Sequence, residues 1–142
     1  MTDTKIDRER WSASSRQSYI YQCAGESYAD IHYECGKCQS AAVFSAEEQK
    51  RAFELKKNYI WQRRRLCPAC NAMLWRLRTR ERACQSRWCS ERKVLARDEG
   101  FMREWLGILE AIPPFAPQFR NGMPETLTRL LQRLASAGAG RR

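Results

Sequence analysis

The sequence has no long hydrophobic run. No stretch approaches the roughly 18 apolar residues that a bilayer span needs. The opening MTDTKIDRER is charged and lacks an apolar centre, so it does not read as a secretory signal. There is one histidine, His32, and no glycine-rich stretch of the kind that cradles phosphates. No acid and base pair up in a recognisable catalytic motif, and no nucleophile signature is present. These absences set aside a membrane span and lead to the expectation of a cytoplasmic, non-enzymatic protein. Neither thiol-redox nor metal-dependent catalysis is expected.

Acidic residues are also short. Against 16 Asp plus Glu stand 26 Lys plus Arg, a formal charge of +10 over 142 residues. Such an imbalance suits a polyanionic partner: DNA, RNA or an acidic surface of a protein in a nucleic-acid machine. No small-molecule substrate is evident. Apolar residues make up 43% of the chain, enough for a core, but several regions are too arginine-rich to bury much unaided. A bound metal relieves that shortage in small modules.

What the sequence does have is cysteine. Four of its seven cysteines form two C-x2-C knuckles, Cys35-Gly-Lys-Cys38 and Cys67-Pro-Ala-Cys70, with 28 residues between them. Two thiolates at this spacing can face one ion from a tight turn, and two such turns complete a tetrahedron of sulfurs about 2.3 Å from zinc. Gly36 and Pro68 are turn-compatible. Four soft thiolates with no open position suit one structural Zn²⁺ better than a hydrolytic centre. In a reducing compartment, paired cysteines hold metal more often than they form disulfides. A thioredoxin-like dithiol would need a βαβ setting, whereas the first pair falls between two short strand-like runs.

Around these knuckles the expected organisation has four parts. Residues 1–29 are an N-terminal arm, either packed on the module or partly mobile. Residues 30–82 form the metal module. DIHYEC alternates like a strand and AAVF returns as its partner. Ser45 and Glu48 have capping-box spacing ahead of a short helix through about Lys57. NYIWQRRRLC is read as a strand or extended lead into the second pair. Beyond Cys70 the pattern is helical, with Met73, Leu74 and Leu77 on one face; Asp98 can start a further helix bearing Phe101, Met102, Trp105 and Leu109. Leu127, Leu130, Leu131 and Leu134 recur as a core-facing stripe behind Pro124. The helical extension covers 83–137, and 138–142 is read as a flexible basic tail. The fold class is α+β: short antiparallel hairpins with an inserted helix, followed by a mainly helical C-terminal region.

The run RRRLCPAC sets Arg63, Arg64 and Arg65 against the second knuckle. A filled four-thiolate site carries −2 and lowers the formal charge to about +8. Some of these arginines, with Lys37, can screen that charge. Yet Arg63 to Lys93 holds ten basic residues and two acidic ones, Glu81 and Glu91, far more than the site needs. Arg63, Arg64, Arg65, Arg76, Arg78, Arg80 and Arg82 are therefore candidate phosphate contacts. Trp61 is a candidate for stacking a base, and Trp75 is read as core beside Leu74 and Leu77. Cys84 and Cys89 would face apart on an unbroken helix. In a loop they could join Cys23 and His32 in a second metal site, although unmatched cysteines are often small buried hydrophobes.

One more pattern lies between Tyr33 and Cys70: a C-x2-C knuckle, Phe44-Ser45, Glu48-Gln49, Phe53 and a second C-x2-C. This segment resembles the bacterial "probable zinc-ribbon" domains. The resemblance implies a zinc ribbon with Cys35, Cys38, Cys67 and Cys70 as ligands, and it covers under a third of the chain. The expected function is a structural-zinc protein that binds nucleic acid, or a nucleic-acid machine, through an arginine-rich face. The alternative is a protein-interaction adaptor docking through its C-terminal helices.

Overall fold

The computed structural model describes residues 3–140. The chain divides into two compact units, residues 1–67 and 68–142. The expected junction at 82–83 lies inside a long helix. Arg141 and Arg142 of the expected basic tail fall outside the described residues.

In the first unit the N-terminal arm is packed. A 3-10 turn at Arg8–Arg10 leads into two short helices, α1 (Ala13–Arg16) and α2 (Tyr19–Cys23). Lys5 bridges Ser27, so the arm begins and ends side by side. Trp11 is 2% exposed and sits in a core with Tyr28, Phe44, Ala46, Ala52 and Phe53. The polar groups of this core are paired, as burial demands. Trp11 Nε1 donates to Tyr28 Oη at 2.8 Å, and Tyr28 Oη donates to Glu54 Oε2 at 2.8 Å. Lys50 Nζ closes the chain 3.1 Å from Glu54 Oε1. Burial pushes the Tyr28 phenol well above its ordinary value, and Glu54 as acceptor adds to the effect.

The hairpin pairs β1 (Ile31–Glu34) with β2 (Ala41–Phe44) in antiparallel register, Ile31 opposite Phe44 and Glu34 opposite Ala41. Helix α3 (Ala46–Lys50) follows at once. Its cap is Ser45, whose Oγ accepts from the Glu48 amide at 3.1 Å. The Glu48 carboxylate pairs with Arg64 rather than reaching back to the cap. The helix continues through wider π-helical turns over Arg51–Leu55 and stops at Lys57, which takes a left-handed φ of 59°.

One hairpin, not two, occurs among the described residues. The NYIWQRRR segment runs as turn and coil, and the second knuckle opens a helix rather than a second hairpin. Pro68 explains the difference. It has no amide hydrogen to give a strand ladder, and its fixed φ suits the first helical position.

The second unit is helical: α4 (Pro68–Leu95), α5 (Glu99–Ala111) and α6 (Met123–Ala139). Helix α4 passes unbroken through CQSRWC and kinks at Glu91, where φ is −126° and ψ 27°. Its buried stripe is Leu74, Glu81, Cys84, Trp88 and Leu95. Asp98 caps α5, its Oδ1 accepting from the Phe101 amide at 3.0 Å. Trp105 is wholly buried, with ring centroids 5.7 Å from Trp88 and 5.8 Å from Phe101. Leu127 and Leu131 of α6 are buried, while Leu130 and Leu134 flank them half-buried. No helix among the described residues is long and apolar enough to cross a membrane.

Candidate metal centre

The turn between β1 and β2 shapes the first knuckle. Cys35 N–H donates to the Ser40 carbonyl at 2.9 Å, and Gln39 N–H to the Cys35 carbonyl at 3.0 Å. Gln39 adopts a left-handed φ of 61° to close the turn. The approach to the second knuckle is pinned to the same hairpin. Tyr33 Oη donates to the Leu66 carbonyl at 2.9 Å, and Gly36 N–H to the Arg65 carbonyl at 2.8 Å. Cys67 then precedes α4, and Cys70 lies in its first turn, where unpaired amides and the helix dipole favour a thiolate.

As a result the Sγ atoms of Cys35, Cys38, Cys67 and Cys70 all lie within 4.8 Å of one another. A tetrahedron with metal–sulfur bonds of about 2.3 Å has sulfur–sulfur edges of about 3.8 Å. Cys38 Sγ and Cys67 Sγ are 3.8 Å apart. Three of the four cysteines are buried. The Cys35 thiol is pulled down to about 6, chiefly by the Cys38 amide, with the Cys67 and Lys37 amides adding and burial opposing. Cys38 is also lowered, first by the Ser40 hydroxyl, 3.1 Å from its sulfur. Donor type, spacing and ease of ionisation all fit one structural Zn²⁺ held by these four residues. The ion would supply cross-linking, and a closed thiolate set leaves no position for substrate or water.

The structure places the other predicted residues as follows. Cys23, His32, Cys84 and Cys89 belong to no group of metal-capable side chains among the described residues, so the expected second site is not formed. Cys84 and Cys89 share the continuous α4, and a five-residue step of about 140° leaves Cys84 buried and Cys89 exposed. Burial raises the Cys84 thiol, with Glu104 and Glu81 adding. His32 is exposed on β1.

The arginine run beside the second knuckle divides its work. Arg64 pairs with Glu48, and its guanidinium lies 3.9 Å above the Phe44 ring. Arg65 covers Gly36, where an added Cβ would collide with its guanidinium. Arg63 is exposed, with no ion-pair or hydrogen-bond partner among the described residues. Trp61 is 42% exposed. On α4, Arg80 approaches Glu104 at 3.5 Å, whereas Arg76, Arg78 and Arg82 are exposed and have no such partner among the described residues.

One tryptophan departs from its expected setting. Trp75, read as core, is 63% exposed, whereas Trp88 of the same helix is 7% exposed. Trp75 follows Leu74 by one residue, a turn of about 100° that carries it off the buried stripe. Gln49 is a structural residue that residue chemistry alone does not single out. Its buried Nε2 donates to Ala29 O at 2.6 Å and to Phe44 O at 3.0 Å, clamping the chain on both sides of the hairpin. The Glu48-Gln49 pair within the resemblance is the signal for it.

Comparison with known proteins agrees with this geometry. Searches of curated proteins and of solved structures give no match. Residues 29–76, about a third of the chain, match the family model described as a probable treble clef domain. That segment, with its knuckle hairpin, its second cysteine pair at a helix start and its four converging sulfurs, is a zinc-binding treble clef domain.

Proposed function

We propose that this protein binds nucleic acid through phosphate contacts and base stacking on α4, with the zinc site serving structure alone. The observation that carries this reading is the exposed face of α4. Trp75, Arg78 and Arg82 stand at i, i+3 and i+7, on one side of the helix. Arg76 is exposed beside them. The Trp75 indole is 63% exposed on a helix whose neighbouring Arg76, Arg78 and Arg82 have no ion-pair partner among the described residues, so it is left free for a partner from outside its unit. It is well suited to a π-face partner held by phosphates. Arg64 and Arg65 are occupied within the metal domain, which concentrates the reading on α4. The adaptor alternative draws less support, because α5 and α6 direct Trp105, Leu127 and Leu131 into their own core. A reducing cytoplasm is the compartment that suits seven free cysteines.

The test is titration of the zinc-loaded chain with single- and double-stranded DNA and RNA across a range of salt. Binding that weakens steeply with salt supports the reading. Undetectable binding to every form at low salt overturns it. A protein partner that is retained at high salt after nuclease treatment favours the adaptor.

A further inference from the structure

The first unit contains a cavity of about 600 Å³. That volume lies in the range of small-molecule sites, roughly 300–1,000 Å³. Its wall is mostly aromatic and aliphatic, with Trp11, Ile20, Tyr28, Phe44 and Phe53 among its lining residues. No aspartate or glutamate lines it, while two arginines, Arg63 and Arg64, do. Arg64 is already neutralised by Glu48 and laid over Phe44. Arg63 therefore brings an uncompensated positive charge to an apolar hollow. An apolar wall favours an apolar body, and a lone cation at its edge favours one negative charge.

We propose that this cavity is a binding site for a small organic anion: a largely apolar body seated against the accessible lining residues Ile20, Ile31 and Tyr33, with a single carboxylate or sulfonate on Arg63. The site is independent of α4, so it stands or falls apart from the nucleic-acid reading.

The probe is anilinonaphthalene sulfonate, with uncharged N-phenylnaphthylamine as its neutral counterpart, titrated into the zinc-loaded full chain without nucleic acid. The expected result is saturable binding at one site per chain with enhanced fluorescence. Arg63→Gln should weaken the anionic probe about tenfold, the effect of removing one charge-assisted hydrogen bond, and leave the neutral one unchanged. Ile20→Trp should fill the hollow and abolish both. If that variant fails to fold, Ala24→Phe serves as the second filling variant. Arg78→Ala with Arg82→Ala should not alter probe binding. Non-saturable binding, equal loss of both probes in Arg63→Gln, or full binding by a folded filling variant overturns the proposal.

Discussion

Gly36 and Arg65 meet so closely that a side chain at position 36 would have to displace the Arg65 guanidinium. The glycine amide donates to the Arg65 carbonyl at 2.8 Å, and a Cβ at position 36 would run into the Arg65 guanidinium. The glycine of the first knuckle is thus favoured by a neighbour from the second, not by its own backbone angle. Gly36→Ala should lower the melting temperature of the zinc-loaded protein, at a cost of about 1 kcal/mol. Because the colliding group is the far end of a flexible side chain, Gly36→Ala combined with Arg65→Ala should recover much of the loss. A double variant less stable than the sum of the two singles would contradict this account.

Metal content is the most direct check on the site. Protein purified under reducing conditions should carry one zinc ion per chain. Cys35→Ser or Cys67→Ser should lose it. Structural zinc sites contribute about 10–16 kcal/mol of apparent binding energy at neutral pH, most of it folding energy. Chelation should therefore collapse the treble clef cooperatively, seen as a large fall in thermal stability. Acidification should release the ion as well, since protons compete for the thiolates.

On α4, removing a guanidinium that holds a phosphate should flatten the salt dependence. Arg78→Ala and Arg82→Ala should each reduce the slope of log affinity against log salt by about 1. Trp75→Ala should cost about 1–3 kcal/mol in affinity for a single strand, with little change in slope. Arg80→Ala should have a smaller effect, because that guanidinium already faces Glu104.

The Trp11–Tyr28–Glu54 chain makes a prediction for alkaline pH. The folded-state pKa of Tyr28 is raised above its ordinary value of 10.0. A phenol with a raised pKa contributes stability that is fully present below the unfolded value and is lost as pH climbs from there towards the folded value. Stability should thus fall above pH about 10, and more steeply in the native protein than in Tyr28→Phe. At neutral pH the same substitution should cost about 1–3 kcal/mol, because it leaves the buried Trp11 indole without its acceptor and takes one of its donors from the Glu54 carboxylate, which keeps Lys50. Denaturant midpoints of the two proteins measured across pH would decide it.

Much of the site was legible in the order of residues. Two C-x2-C pairs announce a four-thiolate centre because the chemistry of the ligand and the length of a knuckle are local properties. Ser45 and Asp98 announce helix starts for the same reason: a cap acts on amides two or three residues away. The leucine stripe of α6 was legible too, since its period repeats over several turns. Less legible was everything that depended on direction. Met73, Leu74 and Trp75 are consecutive apolar residues, and helical periodicity does not say from which side the core will come. Only tertiary packing, such as that of Trp88 against Trp105 of α5, buried Leu74 and Trp88 and left Trp75 outside.

Sequence alone therefore determined the ligands, the caps and the overall charge, because these rest on residue chemistry and on spacings of a few bonds. The tertiary structure decided which of the arginines were free. Arg64 found Glu48 and Phe44, Arg65 found Gly36, and Arg63 came to line an apolar hollow. Three identical neighbours acquired three different roles because successive side chains point in different directions and meet parts of the chain far apart in sequence. That convergence is a property of the folded core and is absent from any local stretch of residues.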